Sequence, residues 1–321
     1  MSRIGLVLGG GGITGASYQI AALMALELAC EWEANEARVV IGTSGGSYVA
    51  ALVRSGRLDL DSMVRYGEDP GSVADRIRRH VFTPDPGIRV GRWVRQGLLP
   101  GLRRPGVTML MGCPARYGAQ GLAGWVREQV GEAADSWPER PTVITAYDLA
   151  TRDRVAFGTV AAPEVSLAEA VAASSAIPVL FHPHVIGDHA YVDGGVASGT
   201  HLDLVLGSSE ELDLVIVIAP LAAEEGRRGA WLGERLFDRV GRRSLDEEMA
   251  IVAEAWPHTD VLVLRPTPAV LAAMRPNPMA PEAAVPTFIR TLAAMKRKLA
   301  EPEVWDLLHH HLDPPRVHAA R

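Results

Sequence analysis

The chain has 321 residues and a net charge of −6, and 48% of its residues are hydrophobic and 22% charged. This mildly acidic, mixed composition argues against nucleic acid as a partner and is ample for a substantial buried core. No apolar run is long enough for a membrane-spanning helix or a signal-peptide core, so we expect a cytoplasmic protein that contacts membranes peripherally at most.

The first part of the chain alternates predicted strands and helices. The apolar run 3–8 predicts a buried strand, and the Ala- and Leu-rich run 16–30 predicts a helix. Residues 38–41 predict a second short strand, and the stretch 47–52 that follows is compatible with a helix. This alternation indicates a parallel sheet that helices cover on both faces.

Residues 67–118 differ from the rest of the chain, since they are rich in proline, glycine and arginine. We interpret them as an insertion that carries short helices. Arginine beside tryptophan and leucine in this insertion is typical of a segment that lies against anionic lipid head groups. The insertion is therefore a candidate lid and a candidate contact with an anionic membrane, and an ordinary insertion with solvated or paired arginines is the alternative.

The remainder of the chain predicts further strands and helices. The predicted strands are 142–147, 154–157, 212–218 and 260–264, and the predicted helices are 120–132, 167–175, 230–256 and 287–300. We expect residues 1–265 to form the principal domain and residues 266–321 to form a C-terminal helical extension packed on it.

Ser44 is the candidate nucleophile. It lies in the Gly-Thr-Ser-Gly-Gly run 42–46, between a short β-branched strand and a helix, which is the context of a G-x-S-x-G nucleophile elbow. Such a turn strains the serine backbone, and Gly42 and Gly46 remove side chains that would collide there. A serine at a helix N-terminus also faces free N–H groups that favour negative charge. A plain Gly-Ser turn is the alternative.

A second glycine-rich turn, 9–15, follows the first predicted strand. It fits the G-x-G-x-x-G pattern of a dinucleotide site, but that site needs an acidic residue after the next strand, where Gly-Thr-Ser stands instead. The competing use is an oxyanion hole beside Ser44, because neighbouring parallel strands bring their carboxyl ends to one edge. The predicted oxyanion donors are the N–H groups of Gly10, Gly11, Gly12 and Gly45.

The base that a serine nucleophile needs has two candidate sources. Asp193 lies in an Asp-Gly-Gly turn, where glycines allow close backbone approach, although an aspartate there commonly caps its own turn. The rival source is a histidine, because the chain order Ser44, Asp193, then His201 or His258 fits an α/β-hydrolase triad.

The remaining histidines predict little chemistry. His182, His184 and His189 lie near Asp193 in the sequence, but their spacing does not favour a metal site. The run 309–311 is expected at a solvated helix end. The sequence predicts no metal and no cofactor.

Four segments in order resemble motifs of the patatin-like phospholipase family. They are the glycine loop 10–15, the elbow 42–46, the stretch 173–178, which is similar to the family's Ala-Ser-x-Ala-x-Pro segment, and the Asp-Gly-Gly turn 193–195. The resemblance covers about residues 4–205. It implies a three-layer α/β/α fold with a mainly parallel central sheet.

The same resemblance implies a serine acyl hydrolase of lipid esterase, phospholipase A or lysophospholipase type. In this reading Ser44 and Asp193 form a dyad without histidine, and Asp193 accepts the Ser44 proton. Thr14 stands where the family often has Arg or Lys, which removes a positive charge from the oxyanion loop. Two alternatives stay open, a Ser-Asp-His triad and a patatin-like scaffold or binding protein with little turnover. The sequence indicates no lipid head group, acyl length or oligomeric state.

Overall fold

The computed structural model describes residues 2–58, 70–85, 90–99, 113–223 and 232–312. Within these residues the chain forms one eight-stranded sheet. Its strands are β1 (Ile4–Leu8), β2 (Val39–Thr43), β3 (Thr142–Asp148), β4 (Asp153–Phe157), β5 (His184–Ile186), β6 (His189–Asp193), β7 (Leu214–Ile218) and β8 (Asp260–Leu264). The strand order is β5-β6-β3-β2-β1-β7-β8, and β4 also pairs with β3.

The centre of the sheet is parallel and one side of it is antiparallel. β1 pairs in parallel with β2 and β7, β2 with β3, and β7 with β8. β4 and β6 both run antiparallel to β3, and β5 runs antiparallel to β6. Every residue of β1, β2 and β7 is buried, as expected for strands that are covered on both faces.

Helices cover both faces of this sheet. They are α1 (Gly12–Cys30), α2 (Gly45–Arg54), α3 (Pro70–Val81), α4 (Val90–Trp93), α5 (Gln120–Val130), α6 (Leu167–Ser174), α7 (Leu232–Ala255), α8 (Pro268–Ala273), α9 (Ala284–Lys298) and α10 (Pro302–Leu312). Alternate residues of β1 enter different cores, since Leu6 and Leu8 join the core shared with α1, α2 and α5, whereas Val7 joins the core shared with α7. This three-layer arrangement confirms the predicted α/β/α class.

Helix α1 is central to the larger core. It packs against α2 and α9, and most of its residues are buried. By length and composition α1 is able to cross a bilayer, and in the part of the chain that the structure describes it is the one helix of this kind. A buried core helix passes the same test, so this feature carries no argument for a membrane span.

Most of the predicted elements are confirmed, with boundaries that move by a few residues. α1 starts at Gly12 instead of residue 16, because its first turn follows directly from the glycine loop. The strands β5 and β6 and the helices α8 and α10 were not predicted. In the insertion, α3 and α4 are the expected short helices, whereas residues 67–69, 86–89 and 100–112 lie outside the described residues.

One prediction for the C-terminal region is wrong at His311, whereas the neighbouring His310 is exposed as expected. His311 is only 8% exposed, although the run 309–311 was expected at a solvated helix end. Its Nε2 lies 2.9 Å from Asp260 Oδ2 and its Nδ1 lies 3.1 Å from Ser2 Oγ. Because β8 begins at Asp260, these bonds dock α10 on the amino ends of the strands. The division into a domain over 1–265 and an extension over 266–321 stays a prediction.

Candidate active site

Strand pairing brings the two principal site residues together although they are far apart in the sequence. Thr43, the residue before Ser44, pairs with Thr145 on β3. The next residue of β3, Ala146, pairs with Asp193 at the end of β6. One peptide unit of β3 therefore sets the spacing between Ser44 and Asp193 at the carboxyl edge of the parallel strands.

The backbone at Ser44 has the strained geometry expected of a nucleophile elbow. Its φ of 54° and ψ of −124° are unusual for a residue with a side chain, and α2 begins at the next residue. A Cβ atom at Gly42 would lie 2.7 Å from the Ser47 Cα, and one at Gly46 would overlap the Leu8 carbonyl. The expected roles of these two glycines are therefore confirmed.

The last residue of α6 and the two residues that follow it brace both site residues. The Ser44 N–H donates to Ser174 Oγ at 2.8 Å, and the Ser175 hydroxyl donates to the Ser44 carbonyl at 3.2 Å. The Asp193 N–H donates to the Ala176 carbonyl at 3.0 Å. The sequence marked this segment only as a motif, and these contacts give it a physical role.

Ser44 and Asp193 are joined by a short hydrogen bond. The Ser44 hydroxyl donates to Asp193 Oδ2 at 2.6 Å, while Asp193 Oδ1 accepts from the Gly195 N–H at 2.7 Å. Burial raises the pKa of Asp193 to about 6, although the hydrogen bonds from Ser44 and Gly195 act in the opposite direction. The carboxyl is therefore mostly ionised at neutral pH and is a stronger base than an exposed aspartate.

The glycine loop lies against the elbow, but its four predicted oxyanion donors are not equivalent. The Gly10 N–H already donates to the Gly199 carbonyl at 2.7 Å. The N–H groups of Gly11, Gly12 and Gly45 have no acceptor among the described residues. A Cβ atom at Gly45 would overlap the Gly12 carbonyl, so the loop and the elbow are in backbone contact. The prediction of Gly10 as a donor therefore conflicts with its bond to Gly199.

The histidine nearest to the site contacts a neighbour of Ser44 instead of Ser44 itself. His201 is fully buried, with Nδ1 at 3.1 Å from Thr43 Oγ1 and 3.2 Å from Thr145 Oγ1. Burial lowers the pKa of His201 to about 3, so its ring is neutral at physiological pH. His258 is exposed and precedes β8, at the amino edge of the sheet that lies opposite Ser44.

The other three histidines near Asp193 in the sequence have partners elsewhere. His182 Nε2 lies 3.3 Å from the Asp85 carbonyl oxygen. His184 bonds Glu169 and His189 bonds Asp148, each at 2.6 Å. Within the described ranges, no histidine is hydrogen-bonded to Ser44 or Asp193.

A cavity of about 380 Å³ opens beside Ser44, which lines it together with Gly45. Five helices supply most of its wall, namely α1, α2, α3, α5 and α9. Their apolar contributions include Ile13, Ile20, Ile77, Trp125, Val126 and Phe288. A largely apolar cavity of this size suits a hydrocarbon chain whose polar end lies at Ser44.

Three solved structures similar to this chain have low sequence identity. VipD from Legionella pneumophila is 16% identical, with a TM-score of 0.40 over 92% of this chain and 67% of that chain. The type III effector protein ExoU is 17% identical, with a TM-score of 0.31 over 94% of this chain and 54% of that chain. The heterodimeric ExoU–SpcU complex of the Pseudomonas aeruginosa type III secretion system is 15% identical, with a TM-score of 0.31 over 97% of this chain and 57% of that chain. The chain thus spans between 54% and 67% of the length of these relatives.

No curated protein matches the sequence significantly. The family model described as patatin-like phospholipase matches residues 6–206, more than half of the chain. The matched range contains the glycine loop, the elbow at Ser44, the brace after α6 and Asp193. The chain therefore belongs to the patatin-like phospholipase family.

Proposed function

We propose that this protein is a serine acyl hydrolase that cleaves lipid esters with Ser44 as nucleophile and Asp193 as base. The observation that carries the proposal is the 2.6 Å hydrogen bond between these side chains at one end of an apolar cavity. Membership of the patatin-like phospholipase family supports hydrolysis of lipid esters in general. The phospholipase A or lysophospholipase type of activity is part of the proposal.

In the first half of the reaction, Ser44 Oγ attacks the ester carbonyl carbon while its proton passes to Asp193 Oδ2. The carbonyl oxygen becomes negative, and the N–H groups of Gly11, Gly12 and Gly45 are available to stabilise it. One such donor is worth about 3 kcal/mol of the barrier. When the bond to the alcohol breaks, the proton on Asp193 passes to the leaving oxygen, and an acyl ester of Ser44 remains.

The second half of the reaction repeats these transfers with water. Asp193 takes a proton from a water molecule, whose oxygen attacks the acyl carbon. The bond to Ser44 Oγ then breaks, Ser44 regains its proton from Asp193, and the carboxylic acid leaves. A pKa of about 6 for Asp193 suits both directions, because the group accepts and returns a proton near neutral pH.

We further propose that the outer face of α3 contacts an anionic membrane surface. Val73, Ile77 and Val81 of this helix line the cavity, whereas Arg79 and Arg78, the latter paired with Asp75 and Glu282, are exposed on its other side. A helix with one face on the acyl cavity and arginines outside is suited to lie where a lipid enters. A cytoplasmic protein that binds membranes peripherally is the corresponding expectation for location.

The test of the enzymatic proposal combines a fluorophosphonate probe with a panel of lipid and p-nitrophenyl esters. The wild-type protein should be labelled at Ser44 and should hydrolyse esters, and Ser44→Ala should abolish both. The exposed Ser209 provides a matched control, since Ser209→Ala should change neither. A folded wild-type protein that is never labelled and hydrolyses nothing would support the scaffold alternative. Equal labelling of Ser44→Ala would contradict the nucleophile assignment.

A further inference from the structure

The loop over residues 198–202 contacts two of the segments that form the candidate active site. Its Gly199 carbonyl accepts the Gly10 N–H at 2.7 Å. A Cβ atom at Gly9 would lie 3.0 Å from the same carbonyl, so the two backbones are in close contact. The 198–202 loop therefore fixes the position of the glycine loop that faces Ser44.

A second contact runs from the 198–202 loop to the strand that carries the nucleophile. His201 lies in the left-handed region, with a φ of 57°, and its ring is buried between β2 and β3. Its Nδ1 is within hydrogen-bond distance of the Thr43 and Thr145 hydroxyls. Because Thr43 precedes Ser44, movement of the 198–202 loop would disturb both the elbow and the glycine loop.

Glu248 on α7 holds this loop in place. Its Oε2 accepts from Thr200 Oγ1 at 2.6 Å and from the Leu202 N–H at 2.8 Å, and its Oε1 accepts from the Ser198 hydroxyl. Glu248 is 7% exposed, and in the described part of the chain hydroxyls and an amide surround its carboxylate instead of a cation. A buried charge is costly unless its hydrogen bonds are made. The hydrogen bonds to Glu248 therefore stabilise both the carboxylate and the conformation of the 198–202 loop.

We propose that Glu248 is a positioning residue for acyl transfer, which acts through the 198–202 loop on the glycine loop and on Ser44. Glu248 lies outside residues 6–206, so the matched family range does not contain it. The inference rests on the proposed hydrolase function. It states that α7, on the sheet face opposite the acyl cavity, takes part in setting the geometry of the oxyanion donors.

The test compares Glu248→Ala with Glu248→Gln in steady-state hydrolysis of a p-nitrophenyl ester. Glu248→Ala removes every acceptor, and we expect kcat to fall by between about 10-fold and 100-fold with KM unchanged, since a misplacement near 1 Å can cost about 100-fold. Glu248→Gln keeps an acceptor for Thr200 and Leu202, so it should restore most of the loss. Glu247→Ala is the matched control, because the neighbouring Glu247 side chain is exposed and pairs with Arg243.

A stability control separates positioning from a general loss of folding. Asp213→Ala breaks the Arg3–Asp213 pair at the amino edge of the sheet, away from Ser44. It should lower the melting temperature while leaving kcat unchanged. If Glu248→Ala folds with the wild-type kcat, or if Asp213→Ala loses as much kcat at equal destabilisation, the proposal is overturned.

Two further outcomes are decisive. If Glu248→Ala does not fold, Thr200→Val decides, because it removes one bond to Glu248 and preserves the shape of the side chain. A several-fold lower kcat in Thr200→Val supports the proposal and an unchanged kcat overturns it. Failure of the hydrolase proposal would look different, because the wild-type protein itself would then show no turnover and no fluorophosphonate labelling.

Discussion

Backbone geometry holds Ser44 and Asp193 at the carboxyl edge of the sheet, whereas mainly apolar side chains from separate helices form the wall of the cavity beside them. At the Ser44 edge, which we define as residues 10–12, 44, 45, 174, 176 and 193, close contacts exclude even a Cβ atom at Gly45. The cavity wall, which we define as the lining side chains of α3 and α9, consists of alanine, valine, isoleucine and phenylalanine side chains together with Arg76. The difference suggests that changes at the edge alter the reaction itself, and changes at the wall alter which substrate fits.

The largest expected effect is at Asp193. Asp193→Asn should lower kcat by about 1,000-fold or more, because an amide cannot accept the Ser44 proton. The matched control is Asp148→Asn, since Asp148 is also a buried aspartate on a neighbouring strand but bonds His189. His258→Ala should leave kcat within about twofold. A histidine variant as inactive as Asp193→Asn would show that a triad operates instead.

The second test of the Ser44 edge concerns the hydrogen bonds that brace Ser44. Among the described residues the Ser44 N–H has one acceptor, Ser174 Oγ, whereas the Ser44 carbonyl also accepts from the Ser47 N–H and hydroxyl. Ser174→Ala should therefore lower kcat about tenfold and cost about 1–3 kcal/mol of folding free energy. Ser175→Ala is the matched control and should have a small effect on both. Equal effects of the two substitutions would contradict the role given to Ser174.

The third prediction concerns pH and links activity to stability at the same group. Since Asp193 has a pKa of about 6 and must be ionised to act, kcat/KM should rise with pH and reach half its maximum near pH 6. The folded state binds the Asp193 proton more tightly than the unfolded state, in which the pKa is near 3.8. The contribution of Asp193 to the free energy of unfolding therefore falls as pH rises from about 4 to 6.

The effect of the Asp193 charge on stability can be measured with Asp193→Asn. A pKa raised by about 2 corresponds to about 3 kcal/mol, so at pH 7 Asp193→Asn should unfold at a higher temperature than the wild type. The two proteins should converge near pH 4. Thermal unfolding monitored at both pH values checks this, and a wild type that is the more stable at pH 7 would contradict the buried, ionised carboxylate.

Substitutions in the cavity wall should change which ester the protein hydrolyses best. Val73→Trp places a bulky ring in the cavity, and we expect it to lower kcat/KM for a decanoyl ester by about tenfold relative to an acetyl ester. Labelling of Ser44 by a small fluorophosphonate should be unchanged. Val185→Trp, on the half-exposed strand β5, is the control. Equal losses on both esters would mean that the wall and the edge are not separable.

The smallest effect is expected on membrane binding. The double variant Arg78→Gln and Arg79→Gln should weaken sedimentation with anionic vesicles several-fold, at about 1 kcal/mol or less for each arginine. Binding should also fall with added salt and with neutral lipid. The charge-matched control replaces Arg242 and Arg243 on α7, on the opposite face of the sheet. If both pairs behave alike, α3 is an ordinary part of the fold.

Local sequence was sufficient to single out Ser44 and Asp193 as candidates but not to predict the contacts that hold them in place. These two residues were recognisable as candidates because elbow and turn motifs depend on neighbouring residues, and the order of strands and helices followed from apolar patterning. The bond from Gly10 to Gly199, the role of Glu248 and the burial of His311 depend on contacts between distant segments. No local pattern encodes those contacts, just as none identified the three-residue strand β5.

The pairing of β3 with β2 and β6 has a consequence for how the Ser44–Asp193 pair forms during folding. Adjacent residues of that strand align the elbow and Asp193, and side chains alternate between the two faces of a sheet. A molecule in which β6 pairs one residue out of register would keep its helix and sheet content but would turn the carboxylate to the wrong face. Recovered turnover after refolding would therefore measure the fraction of molecules with native strand register, which circular dichroism alone would overestimate.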